Sequence, residues 1–373
     1  MSCEQSKRNS SIELLRIIAM LCIVVSHFCI HGGFDLEPVQ FSFNKLLIQW
    51  GRLGDLGVDI FIIITGYFLS EKGTKLKQLC NLFTQVWFYS ITIFIVFSIF
   101  FPEKASFDVL LKTIFPTIFK AYWFFTAYVV LTLISPLLNL FIKNTSKKIY
   151  IYMLIVMIAL WVVIPTFARQ NMYGEVFSQF IMLYLIGAYF RKYPENFFTN
   201  KTTATILAIV CFALLLLSTV ALDFLGTKIS IFANHGGLFY SRTSLLVIGI
   251  AVALFSLALT APTFSNRFIN EVSTCTFGVY LIHEHFFMRD LIWDKIFHVA
   301  DFFSSPWLFV YMIGVVCVVF VVCTLIELIR KKTISVPLSN LLYKFILFFT
   351  SIFTKKEKAN NTSTIRDGNE NEK

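Results

Sequence analysis

A succession of apolar runs, separated by short polar connections, leaves this chain few ways to fold. Ten runs can be drawn, at 11–30, 54–70, 79–101, 121–142, 149–168, 176–190, 202–222, 242–261, 273–293 and 307–329. The second and sixth are short; most of the others reach the roughly 20 residues that an α-helix needs to cross a bilayer. In hydrocarbon every backbone N–H and C=O must be paired within the protein, so such runs fold as helices packed side by side. The expected class is an all-α integral membrane protein with about ten transmembrane helices. Charged residues make up only 14% of the chain, against about 25% in soluble domains. Mean hydropathy is +0.73. The 43 phenylalanines suit lipid-facing and packed helical surfaces.

Net charge is +10, a value that invites a nucleic-acid reading. Its distribution argues for membrane topology instead, because cytoplasmic loops collect Lys and Arg. With the N-terminus inside, one side receives Lys7, Arg8, Lys72, Lys75, Lys77, Lys143, Lys147, Lys148, Arg191, Lys192, Lys201, Arg267, Arg330, Lys331 and Lys332. The other side receives the smaller set Lys45, Arg52, Lys104, Lys112, Lys120, Arg169, Lys228 and Lys295. Both termini are therefore expected in the cytoplasm, with a lipid bilayer and no nucleic acid as partner.

Residues 1–332 read as one polytopic membrane domain. Residues 333–353 are amphipathic and are expected to lie along the inner membrane surface. Residues 354–373 are polar and are expected to be a disordered cytoplasmic tail. The first run carries charges and lacks a small-residue cleavage site, so it is expected to be a retained helix and not a signal peptide. The eight cysteines are scattered, without paired spacing, which supports neither a disulfide framework nor a zinc site.

Arg16 and His27 stand out within the first run. They are eleven residues apart, which is three helical turns, so they share one face about 16 Å apart along the axis. Charge inside a bilayer is costly, which makes both functional candidates. His27 can act as a base or acid near neutral pH. Arg16 presents a fork of donors suited to phosphate or carbonyl groups. It could equally snorkel to the inner headgroups or pair with Glu13 on its own helix. Asp59, at the outer end of the second run, could orient His27 or cap its own helix. Gly66 in that run permits close helix packing, and Tyr67 follows it. The loop after it carries Lys72, Lys75 and Lys77, which suit either ordinary inner-face charge or the phosphates of a nucleotide-like donor.

The ninth run holds the densest polar cluster: His283, Glu284, His285, Arg289 and Asp290. Helical spacing would pair His283 with Asp290 and His285 with Arg289. The pattern is not H-E-x-x-H, so no metal is expected there, and lining of a polar cavity is the better reading. The fourth run opens on Tyr122, Trp123 and Phe124, an interfacial aromatic set, and contains Pro136, which is expected to kink it.

Four stretches together resemble the membrane acyltransferase-3 family, which includes O-acetyltransferases of bacterial surface polysaccharides. They are Glu13 to Arg16 through His27; Gly57-Val58-Asp59 to Thr65-Gly66-Tyr67; Tyr122-Trp123-Phe124 to Ser135-Pro136-Leu137-Leu138-Asn139; and Phe277-Gly278-Val279-Tyr280 to His283. The resemblance spans residues 11 to about 330. It implies a ten-helix domain, an acyl-CoA donor at the cytoplasmic face and a sugar hydroxyl as acceptor. It also marks Arg16 and His27 as essential. Many relatives carry an arginine pair in the loop where this chain has Lys72, Lys75 and Lys77. Some carry a fused esterase-like domain, so here the membrane domain is expected to do the chemistry itself or to pass the acyl group on.

The resulting expectation is a multi-pass bacterial cytoplasmic-membrane enzyme that moves acetyl from acetyl-CoA to a capsule or other cell-envelope glycan. His27, Arg16 and Asp59 are its expected catalytic set, and Arg16, Lys72, Lys75 and Lys77 its donor contacts. Tyr67, Trp123, His283 and Glu284 are expected to line the acceptor cavity. The alternatives are a flippase for a lipid-linked sugar or an acyltransferase acting on a small molecule.

Overall fold

The computed structural model describes residues 8–37, 39–73, 75–168, 175–334, 337–344 and 346–347. The described residues are mostly helical, and none of them is in a strand. The helices are α1 (Ser10–His31), α2 (Phe43–Trp50), α3 (Gly54–Lys72), α4 (Leu76–Phe100), α5 (Phe107–Ile114), α6 (Trp123–Asn144), α7 (Lys147–Ile158) and α8 (Ile164–Ala168). There follow α9 (Glu175–Lys192), α10 (Lys201–Gly226), α11 (Leu245–Thr260), α12 (Arg267–Ser273), α13 (Thr276–His283), α14 (Phe286–Arg289) and α15 (Leu308–Thr333).

Among the described residues, seven helices are long and apolar enough to cross a bilayer. That is fewer than the ten runs drawn on the sequence, for three physical reasons. Helix α9 ends on the charged pair Arg191 and Lys192. Helix α11 is only 16 residues long. The ninth run is not one helix: α13 stops at His283, and the chain is extended at His285 before α14 begins. The two long connections expected at 31–53 and 102–120 contain the short helices α2 and α5. Residues 337–344 are helical, within the segment expected at the membrane surface. Residues 348–353 of that segment, the tail 354–373, and Lys7 and Arg169 lie outside the described residues.

Helix α3 sits at the centre, packed on α1, α6, α9 and α11. Glycine makes this possible. A Cβ at Gly66 would overlap the Tyr184 carbonyl of α9, and one at Gly187 would overlap the Ile63 carbonyl of α3. The two backbones therefore touch at reciprocal glycines, as small-residue helix pairs in membranes do. Gly57 brings α3 equally close to the Ala19 carbonyl of α1.

Local chemistry sets the ends and interior of the site-bearing helices. The Asn9 side chain accepts from the Ser11 amide at 3.0 Å and caps α1. In α6, Pro136 has no N–H for the Thr132 carbonyl; the Ser135 hydroxyl donates to that carbonyl at 2.7 Å instead. The core that fixes α1 comprises Ala19, Met20, Val24 and Phe28, all buried against the neighbouring helices.

Candidate active site

A single stripe of α1 lines a cavity of about 760 Å³. Arg16, Met20, Ile23, His27, Ile30 and His31 follow one another up its wall, at the three- and four-residue steps of one helical face. The opposite wall comes from Asp55, Val58, Phe61 and Thr65 of α3. Trp123 and Tyr128 of α6 and Tyr280 of α13 close the sides. Arg16 and His27, brought together on the sequence by periodicity, thus open into the same space.

At one end, the Arg16 Nη1 donates to both carboxylate oxygens of Glu13, at 3.1 and 3.0 Å. The local ion pair that the sequence allowed is formed, and Arg16 lines the cavity as well. Glu13 is further held by the Ser273 hydroxyl. The Arg16 guanidinium lies 5.7 Å from the centre of the Phe68 ring.

At the other end, His27 meets residues of the broken ninth run. Its Nδ1 lies 2.8 Å from Nε2 of His283 and 3.1 Å from Oε2 of Glu284. His31, one turn further along α1, places its Nε2 3.2 Å from the same carboxylate oxygen. Arg289 donates to the other oxygen of Glu284, and its Nε donates to the Glu284 carbonyl at 3.2 Å. The hydrogen bonds fix the proton positions. The Nδ1–H of His283 donates to the Val279 carbonyl, so its Nε2 is an acceptor when the ring is neutral. The proton between the two rings then belongs to Nδ1 of His27. The Nε2 of His27 keeps its lone pair, and Glu284 lies where it can balance charge on the ring.

Several expected positions are corrected by this geometry. Asp59 does not touch His27. It is fully buried on the α9 side of α3, where its Oδ1 accepts from Gln179 at 3.2 Å. The cavity face of α3 belongs instead to Asp55, Val58 and Thr65, and Asp59 lies about 40° from Asp55 round the helix. The carboxylate beside His27 is Glu284. The His283–Asp290 and His285–Arg289 pairs required a continuous helix. With the break, Arg289 pairs with Glu284, and His285 accepts from the Phe287 amide at 3.2 Å, capping α14.

Trp123 and Glu284 line the cavity as expected, whereas His283 sits behind His27 and is fully buried. Tyr67 is not among the lining residues; it lies under the Arg191 guanidinium, 5.3 Å from ring centre to Cζ. Lys72, Lys75 and Lys77 are exposed and do not line the cavity.

The sequence reading missed His31, Gln179, Arg52 and Arg242. His31 was legible, being four residues from His27 on the same face. The others were not, since their placement depends on loops and on the packing of α9. Gln179 links Asp59 to the Arg242 carbonyl. Arg242 stacks on Trp123 with its Cζ 4.7 Å from the ring centre.

His27, His31 and Glu284 each offer one ligand atom, all within 4.8 Å of one another, and could hold a metal ion. The donor set is already engaged, however. His27 Nδ1 is bonded to His283, and Glu284 carries a guanidinium on its second oxygen. A divalent cation would meet the Arg289 charge at that carboxylate.

The sequence matches the family model described as an acyltransferase domain over residues 9–327. The chain therefore belongs to the acyltransferase-3 family, which supports a membrane acyltransferase. Comparison with curated proteins and with solved structures returned no match.

Proposed function

We propose that the chain is a membrane O-acyltransferase. It moves acetyl from cytoplasmic acetyl-CoA to a hydroxyl of a cell-surface polysaccharide or its lipid-linked precursor. The observation that carries this reading is the single cavity with Arg16 at one end and the His27–Glu284 pair at the other. In the topology expected from the basic residues, the Arg16 end faces the cytoplasm and the enzyme resides in the bacterial cytoplasmic membrane. The donor enters at that end. Arg16 grips its phosphate or pantetheine portion, and the exposed Lys72, Lys75 and Lys77 offer positive charge to its phosphates.

The thioester lies beside His27. Nε2 of His27 takes the proton of the acceptor hydroxyl as its oxygen attacks the thioester carbon. A C–O bond forms, the C–S bond breaks, and the proton passes from His27 to the departing thiolate, giving the ester and CoA. Glu284 stabilises the imidazolium between the two steps, and His283 and Glu284 hold the ring so that Nε2 faces the cavity. If the ring itself carries the acetyl group briefly, the same nitrogen does so, because Nδ1 is occupied.

The test is glycan acetylation with His27→Ala and Arg16→Ala at matched expression. Loss of His27 is expected to cost about 100- to 10,000-fold in rate, the usual worth of a positioned base. Loss of Arg16 is expected to raise the KM for acetyl-CoA. Normal acetylation by both variants would contradict the assignment.

A further inference from the structure

We infer that the His27 end of the cavity takes an anionic acceptor, whose carboxylate or phosphate is held by Arg52 and Arg242 beside the hydroxyl that is acylated. The inference rests on the acyl-transfer reading above and adds the chemical class of the acceptor. Both arginines line the cavity together with His27, His31 and Glu284. The Nε of Arg52 and the Nη1 of Arg242 are buried and have no hydrogen-bond partner among the described residues. A buried donor without a partner bears the full cost of its lost hydration, so two such donors on one cavity wall are expected to be answered by a ligand.

The third arginine at this end, Arg289, is satisfied by Glu284. Arg52 has no carboxylate partner among the described residues. Arg242 reaches Asp55 only at 3.8 Å through its Nε. Its position is nonetheless fixed: its amide donates to Asp55 Oδ2 at 2.9 Å, its carbonyl accepts from Gln179, and its guanidinium rests on Trp123. A fork held in this way, with one nitrogen unclaimed, suits the planar or tetrahedral oxygens of a carboxylate or phosphate.

The donor's phosphates do not answer for these arginines, since they belong at the Arg16 end, about 16 Å away along α1. A neutral sugar would leave Arg52 without a counter-charge and the Nη1 of Arg242 without a charged acceptor. The anion is therefore one that the acceptor brings, from either an acidic sugar or a phosphodiester-linked glycan.

The experiment uses the full chain in membranes of its own host, supplied with radiolabelled acetyl-CoA. The labelled glycan is released and run on an anion exchanger before and after two treatments. The expected result is retained label. Release of the label after carbodiimide-borohydride reduction of carboxyl groups identifies an acidic sugar, and release after cold hydrofluoric acid identifies a phosphodiester. Labelled glycan that is not retained overturns the inference and leaves acyl transfer standing. Absence of any labelled product overturns the acyl-transfer reading itself, and the inference with it.

Because this arm uses the unmodified protein, it does not depend on a variant's folding. A second arm measures Arg52→Gln and Arg242→Gln. The KM for the membrane acceptor is expected to rise about tenfold or more, and the KM for acetyl-CoA to move by less than about twofold. Retained label with an unaltered acceptor KM in both variants also overturns the inference, since the anion would then lie away from these arginines.

Discussion

In the proposed reaction each ring nitrogen of His27 has a separate task. Nδ1 is held by His283 and Glu284, which leaves Nε2 for the cavity that His27 lines. On that proposal Glu284 is the positioning carboxylate, and Asp59 is linked through Gln179 to the loop that carries Arg242. Glu284→Gln is expected to lower kcat by about tenfold or more, as the loss of an orienting carboxylate does. Asp59→Asn is expected to alter the KM for the acceptor and leave kcat closer to normal. Steady-state kinetics of the two variants checks the assignment, and the opposite ranking would restore Asp59 to the role that its place in the sequence suggested. The sequence showed the Arg16–His27 stripe clearly, because a helical period lies within one segment. It could not show which carboxylate meets His27. Asp59 and Asp55 differ by about one turn, and only the packing of α3 decides which faces the cavity.

Among the elements, the break between α13 and α14 matters most for the site. A helix continuing through Glu284 would have carried Arg289 and His285 round on a common face. The extended backbone at His285 instead lets Arg289 turn back onto Glu284. Periodicity made the ninth run look continuous because its apolar residues do not register a two-residue interruption. The contact between α3 and α9 is the second critical element. Gly66→Val and Gly187→Val each drive a side chain into the facing backbone. Each is expected to destabilise the fold by about 1–3 kcal/mol or more, read as a lower Tm in detergent. Ser135→Ala should be milder, about 1 kcal/mol, since it removes one bond to the Thr132 carbonyl left open by Pro136. The glycine pattern foretold close packing at Gly66, but its reciprocal partner Gly187 required the fold.

At the scale of the whole molecule, the chain joins two chemically different ends through one cavity. One end has Arg16 and exposed lysines; the other has a histidine–carboxylate pair flanked by arginines. The segmental pattern of the sequence foretold an all-helical membrane fold. Against its ten runs, seven helices among the described residues are long and apolar enough to cross a bilayer, because α11 is short, α9 ends on charge and the ninth run is broken. The three-donor cluster of His27, His31 and Glu284 gives a further prediction. Acetyl transfer is expected to continue after dialysis against a chelator, with the histidines acting as proton and hydrogen-bond groups. Activity lost on chelation and regained with zinc would place an ion on those donors instead.

In the proposed reaction, acetyl passes from the Arg16 end to His27 and leaves on the far side of the membrane. Sealed vesicles of known sidedness, given labelled acetyl-CoA only at the cytoplasmic face, put this to the test. Labelled glycan is expected at the opposite face with the unmodified chain, with a fall of about 100-fold or more in His27→Ala. Equal labelling by the two proteins, or label confined to the face that received the donor, would contradict it.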